Sequence, residues 1–224
     1  MRLSLTPSTP PRPPDHWGET IETSSTEYTA QCFAPDDLRF PTMPPLGSWV
    51  RAADGETEIE IYGVVYHTTT LPIDTIHRAR PLGLSLQQIQ EQQPQIFAML
   101  RTEFRVAIVG FTTDVGRRRN APPYQYLPPR PPQIHQGVFR CSADEIANFC
   151  QGYEFLRTLL RVQGAPTDEL VAAVLRQGAI AAEQVGHSSA TRRQWLLQAG
   201  RSLALLLRDD YDRLRAILSK IQLS

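Results

Sequence analysis

Between Pro44 and His67 the chain reads PPLGSWVRAADGETEIEIYGVVYH, an apolar segment, an Asp54-Gly55 pair, and a second apolar segment that passes through Gly63. Asp-Gly between two such runs suits a two-residue hairpin turn, because both residues tolerate positive φ. The stretch predicts a β-hairpin kinked near Gly63, where a strand interior carries no side chain. Along the return strand, Ile59, Ile61, Gly63 and Val65 fall on one face and Glu58, Glu60, Tyr62, Val64 and Tyr66 on the other. That alternation sends the carboxylates of Glu58 and Glu60 to solvent. Neither has a His or Asp at metal-ligand spacing, so a solvated strand face is expected rather than acid-base or metal chemistry.

Other strands follow from the same period. Tyr28, Ala30 and Cys32 alternate with Glu27, Thr29 and Gln31, the pattern of a half-buried strand. Residues 34–45 hold four prolines, Pro35, Pro41 and the Pro44-Pro45 pair, together with Asp36-Asp37, which suits a crossing loop. His67 and His77 flank a Thr-rich connection, and neither has a partner at the four-residue spacing of a helical metal site. Residues 105–112, RVAIVGFT, form a nearly unbroken apolar run that predicts a buried strand, and a short last strand is expected from Gly137 to Cys141.

Two stretches change period. From Ser85 to Phe104, Ser85 and Gln88 are spaced as a capping box and Pro94 sits where a second helical segment would begin, with Gln93 before it. Ile96, Phe97, Leu100 and Phe104 then share a helical face expected to lie on the sheet. After Cys141 the chain is helical in pattern. Ser142 and Glu145 form another capping box, followed by apolar residues from Ile146 to Leu160 and a stop at Gly164-Ala165-Pro166. Thr167 is expected to cap a second helix running to Gly186. A third begins near Ser189 or Thr191 and runs toward Leu223, with Trp195, Leu203, Leu214 and Ile221 on its apolar side. Three such helices with short turns predict a small bundle.

The expected organisation is α+β: a Pro-rich, disordered arm over residues 1–17, a small six-stranded-type β-barrel over 18–141 with a helical insertion at 85–104, and a three-helix bundle over 142–224. The 224 residues suffice for two cores.

Composition closes off several chemistries. Net charge is zero, so no global positive field steers the chain to nucleic acid. Lys220 is the sole lysine, which removes the G-x-x-x-x-G-K-[ST] phosphate loop and Schiff-base mechanisms that need a lysine elsewhere. Cys32, Cys141 and Cys150 form no C-x-x-C pair and are expected as reduced, buried thiols in a cytoplasmic protein. No apolar run approaches a signal h-region or a membrane span. His187, Ser188 and Ser189 stand together at a helix start, which is a capping arrangement rather than a catalytic one. Neither an enzyme nor a cofactor or metal site is expected.

The loop from Asp114 to Pro132 is the most basic and proline-rich part of the chain. Arg117, Arg118, Arg119 and Arg130, interleaved with Tyr124 and Tyr126, are the candidate partner-binding residues, since guanidinium groups clamp phosphates and tyrosines stack on bases. The competing expectation is a solvated loop, or pairing with residues 1–110, which hold 8 basic and 13 acidic side chains.

Taken in order, several stretches resemble one known module. A strand opens at Thr26-Glu27-Tyr28-Thr29-Ala30, Pro44-Pro45 leads into Gly47-Ser48-Trp49-Val50, and the return strand is Ile61-Tyr62-Gly63-Val64-Val65-Tyr66. Val106 to Gly110 then leads into Arg117-Arg118-Arg119 and the prolines from Pro122 to Pro132, and Gly137-Val138-Phe139 closes the series. This order is similar to the HAS barrel, found at the N-terminus of HerA-type translocases and of the ATP synthase α and β subunits. The resemblance implies a barrel that makes subunit-to-subunit contacts in ring assemblies, with residues 85–104 as a tolerated insertion. In the translocases an ATPase with its phosphate loop follows the barrel, whereas here residues 142–224 carry no such loop, so ATP hydrolysis is not implied. The expectation is a non-catalytic assembly or adaptor protein with a protein partner of the kind the family contacts, a ring ATPase or another multisubunit assembly, and with nucleic-acid binding through the 117–130 loop as the alternative.

Overall fold

In the computed structural model, residues 12–34, 42–53, 59–74, 81–113 and 122–221 are described. The predicted turn at Asp54-Gly55, Glu58, His77 and Arg117 to Arg119 lie outside them.

Six antiparallel strands close into a barrel in the order β1 (His16–Thr23), β2 (Glu27–Cys32), β5 (Leu100–Thr112), β4 (Glu60–Pro72), β3 (Trp49–Ala53), β6 (Gly137–Arg140), with β6 returning to β1. Two short helices, α1 (Leu86–Gln92) and α2 (Gln95–Ala98), connect β4 to β5. Five helices follow β6: α3 (Ala143–Phe149), α4 (Phe155–Leu159), α5 (Thr167–Gly186), α6 (Ser189–Leu206) and α7 (Tyr211–Ile221). The α+β class and the barrel agree with the sequence reading. No helix among the described residues is long and apolar enough to cross a membrane.

The hairpin pairs as its alternation demands, Val50 opposite Gly63 and Ala52 opposite Ile61, with a register shift between Tyr62 and Gly63 at the predicted kink. A Cβ at Gly63 would lie 2.3 Å from Val106 Cγ1, so the neighbouring strand occupies the space a side chain would need. Val50, Ala52, Ile61, Val65, Phe104, Val106, Ile108 and Val138 fill the barrel interior with Tyr28 and Ala30. The opposite face of the same strands is buried too. Trp49, Tyr62, Val64, Tyr66, Ala107 and Val109 belong to a second core that they share with α3 to α7. Apolar runs unbroken by polar residues are what a strand covered on both faces requires.

That cover corrects one expectation. Glu60 does not point to solvent: its side chain is 13 % exposed and its Oε1 lies 2.8 Å from Arg51 Nη1. The faces of β4 are as the alternation predicts, but helices rather than water lie over the outer one.

Boundaries shift for local reasons. The sequence reading missed β1: His16 and Trp17, assigned to the arm, open that strand, which pairs Gly18 with Cys32 and Thr20 with Ala30. The Thr-rich connection after His67 is strand, because β4 runs on to Pro72 in register with β5 as far as Leu100. The helical insertion therefore ends at Ala98, and Leu100 and Phe104 are strand residues. Its capping box is present, Ser85 Oγ accepting from the Gln88 N–H at 3.2 Å and Gln88 Oε1 from the Ser85 N–H at 2.8 Å.

The helix expected from Ser142 to Leu160 is two short helices. Where it breaks, Gln125 Nε2 donates to the Phe149 carbonyl at 2.6 Å and Trp195 Nε1 to the Cys150 carbonyl at 3.2 Å, so side chains satisfy carbonyls a continuous helix would have used. Pro166, not Thr167, is the N-cap of α5, and the Thr167 hydroxyl donates back to the carbonyl of Val162 at 3.3 Å. The long third helix is interrupted after Leu206. Asp210 accepts from the Arg213 N–H at 3.1 Å and starts α7, the competing use of a short acidic side chain at a helix start.

Within the helical region α5 is the centre. Leu170 to Leu175 are buried all round the helix, together with Gly178, Ala179, Ala181 and Ala182, which is the pattern of a helix enclosed on every side. Its first turn is fastened to α7 by Asp168 with Arg213 (2.7 Å) and Glu169 with Lys220 (2.6 Å).

Cys32, Cys141 and Cys150 are buried and unpaired. Burial pushes the Cys32 thiol up from 9.0 to about 12 and raises Cys141, Cys150 and the Tyr28 phenol as well. Between pH 9 and 12 the unfolded chain releases a Cys32 proton that the native chain keeps, so stability is full below the lower value and falls as pH rises. Each such group lowers stability by up to about 1.4 kcal/mol per pH unit. Urea midpoints are expected to drop steeply from pH 9 to 10.5, and a flat profile over that range would contradict this burial.

Candidate functional site

Two of the candidate residues, Tyr124 and Tyr126, stand where the barrel meets the helices. Tyr124 exchanges both backbone hydrogen bonds with Phe111 at the end of β5, 2.8 and 2.9 Å. Its ring stacks on Phe111 at 5.0 Å, and Tyr126 meets Phe111 edge-on at 5.4 Å. The two tyrosine rings are 5.5 Å apart and remain 44 % and 58 % exposed. Between them Gln125 turns inward, donating to the Phe149 carbonyl and accepting from the Phe155 N–H at 3.2 Å. The loop is thus pinned to β5 and to both short helices. Arg130 is exposed further along it. The structure brings the two tyrosines together.

Leu127 carries the same loop into a cleft of about 650 Å³. On its barrel side the outer faces of three adjacent strands supply Glu27 from β2, Arg105 and Ala107 from β5, and Tyr66 from β4. The other wall is α4 and the turn after it, with Arg157, Arg161 and Val162. Tyr66 donates its hydroxyl to Glu27 Oε2 at 2.5 Å and faces Arg105. Burial, with that bond to Glu27, pushes the Tyr66 phenol up to about 12, so it remains a donor near neutral pH. Arg157 and Arg161 lie one helical turn apart and are both exposed.

A second charged cluster joins barrel to helix. Arg51 on β3 lies 2.8 Å from Glu60, 2.8 Å from Glu145 in the first turn of α3, and 3.4 Å from Asp15 before β1. Its guanidinium is 19 % exposed and rests 5.0 Å from the Phe139 ring. Ser142, capping α3, accepts from the Glu145 N–H, and Glu145 in turn accepts from the Ser142 N–H at 2.6 Å. The cluster is therefore a fastening of three strands to a helix start. Arg51→Met is expected to destabilise by about 2 kcal/mol, because the largely buried Glu60 carboxylate loses its counter-charge and keeps only the Tyr62 hydroxyl, 3.1 Å away, as a donor. Urea denaturation checks this, and a loss under about 0.5 kcal/mol, the range of ordinary surface changes, would contradict it.

Ser188 caps α6 by accepting from the Ala190 N–H at 3.1 Å, and His187 before it has φ 50. Among the described residues no group of three or more His, Cys, Asp or Glu is arranged to hold a metal ion.

The chain matches no protein-family model and no curated protein.

Sequence reasoning missed Arg105, Arg157 and Arg161, which only the fold brings to one cleft. One signal was present: Arg157 and Arg161 are like charges four apart on a predicted helix, with no acidic residue between them.

Proposed function

We propose that the chain is a non-catalytic assembly or adaptor protein that uses the barrel and the helices as contact surfaces. The observation that carries this reading is the outer face of the β4–β5 ribbon beyond the barrel. There Leu71, Ile73 and Met99 are 43 %, 55 % and 53 % exposed. The Ile73 N–H donates to the Met99 carbonyl at 2.8 Å, so the two residues lie across the ribbon from each other. Leu71, two residues before Ile73, belongs to the same face. Apolar side chains grouped at a projecting tip suit burial against another protein. Leu197 and Leu205 on α6, 59 % and 76 % exposed, offer a second surface on the helical side.

A closed six-stranded barrel with a helical insertion between two of its strands is in keeping with a HAS-type module, which directs the search for partners to ring ATPases and other multisubunit assemblies. The decisive comparison is wild type against Leu71→Ser/Ile73→Ser/Met99→Ser by mass in solution and affinity purification. Wild type is expected to self-associate or retain a partner that the triple variant loses. A strictly monomeric wild type that recovers no partner overturns the reading.

A nucleic-acid interface on the 117–130 loop is the second reading, favoured by the exposed faces of Tyr124 and Tyr126 beside a cleft lined by arginines. Salt-sensitive binding of single-stranded RNA or DNA that weakens on Tyr124→Ala/Tyr126→Ala supports it, and binding that is absent or unchanged by salt removes it.

A further inference from the structure

The cleft between the barrel and α4 combines features that a contact surface alone does not need. Its lining holds three guanidiniums, Arg105, Arg157 and Arg161, against the single carboxylate of Glu27. Glu27 is already engaged by the Tyr66 hydroxyl. None of the three arginines lies within 4 Å of a carboxylate among the described residues, whereas Arg51, Arg101, Arg192, Arg208 and Arg213 each do. Other described arginines, Arg130, Arg140 and Arg176 among them, also lack one, but Arg105, Arg157 and Arg161 are gathered in one concavity. Like charges so placed repel one another and are stabilised by an anion between them.

The same cleft has an apolar part, formed by Ala107, Leu127 and Val162, and polar groups at Thr26, Thr158 and Gln163. Its volume of about 650 Å³ falls within the range of small-molecule sites and exceeds what a bare phosphate fills. Charge at one wall and apolar surface beside it match a ligand with an anionic head and an apolar or aromatic body.

We propose that this cleft binds a phosphorylated small molecule of the nucleotide type, its phosphates held by Arg105, Arg157 and Arg161 and its body laid against Leu127 and Val162. Guanidiniums meet phosphate oxygens through paired N–H donors, so two or three of them around one concavity form a clamp. Glu27, fixed by Tyr66, stays available as an acceptor for a hydroxyl or amino group on the body. Because barrel and helix each supply one wall, an occupant ties the two together.

The test is calorimetric titration of the full chain with ATP, with pyrophosphate and with a single-stranded 20-nucleotide oligomer. Saturable ATP binding is expected, weaker at high salt, and weakened about tenfold or more by Arg157→Gln/Arg161→Gln through the loss of charge-assisted bonds. Arg193→Gln/Arg201→Gln, on exposed α6 positions away from the cleft, is expected to leave it unchanged. Leu127→Ser is expected to weaken ATP more than pyrophosphate, which separates contact with the body from contact with the phosphates. All substituted side chains are exposed, and circular dichroism confirms that each variant is folded. Three results overturn the proposal: no saturable binding of ATP or pyrophosphate, equal weakening by the α6 pair, or binding of the oligomer alone. Because these readouts use no protein partner, their failure leaves the assembly reading to its own test.

Discussion

Phe149→Ala is expected to lower stability by about 3–5 kcal/mol, and to do so for barrel and helices together. Phe149 is the last residue of α3 and is 1 % exposed. Its ring lies 5.2 Å from Trp49 on β3, 5.1 Å from Tyr62 on β4 and 5.9 Å from Phe155 at the start of α4. Trp49 in turn meets Phe155 edge-on at 5.4 Å. Truncation removes the ring at the centre of this group and leaves a cavity bordered by strands on one side and helices on the other. Neither side can close it without moving across the junction, so collapse offers little relief. Urea denaturation followed by Trp fluorescence and by far-ultraviolet circular dichroism is expected to show one transition for both probes, shifted to lower urea. A loss under about 1 kcal/mol, or a helical signal that melts separately, would show that Phe149 does not join the two parts.

The second large effect is expected at Gly47, in the turn that enters β3. Its φ is +80°, and an added Cβ would stand 2.7 Å from Ala173 Cβ and 3.1 Å from the Val174 backbone nitrogen. The turn is fixed by the Gly47 N–H donating to the Val65 carbonyl at 2.8 Å and the Ser48 N–H to that of Pro45 at 3.1 Å. Gly47→Ala meets two costs, a left-handed backbone that L-residues disfavour and a collision with α5 that a rigid helix cannot yield to. Together these come to about 2–5 kcal/mol. The two are separable. Ala173→Gly removes the nearest colliding atom but leaves the backbone conformation, so the double variant is expected to recover part of the loss beyond additivity. Strict additivity of the two substitutions would contradict the contact between the entry turn and α5.

Much of the fold was legible because burial on two faces writes itself as unbroken apolar runs. Val106 to Val109, and Ile61 to Tyr66 apart from Gly63, read as strands at once, and Ser85 with Gln88 and Ser142 with Glu145 announced their helix starts. What escaped notice has physical reasons. In β1, HWGETIET, a register shift between Thr20 and Glu22 breaks the period of two, and only Gly18 and Thr20 are buried. The continuation of β4 through Thr68 to Pro72 lacks large apolar side chains until Leu71, and it is held by its pairing to β5. Helix breaks after Phe149 and Leu206 arise where tertiary partners or an N-capping aspartate outbid a continuing helical period. Of the site, Tyr124 and Tyr126 were legible from composition. The arginine cleft was not, because its three guanidiniums sit 52 and 4 residues apart along the chain and meet only through the packing of α4 on β5.

Native-state hydrogen exchange of the wild-type chain tests the shared core most directly, by comparing amides of β5 from Val106 to Val109 with amides of α5 from Val171 to Leu175. If one packed interior joins the barrel wall to the helices, both sets open at the same free energy and with the same dependence on urea. Exchange of the α5 amides through a separate, lower-energy opening that leaves β5 protected would contradict it.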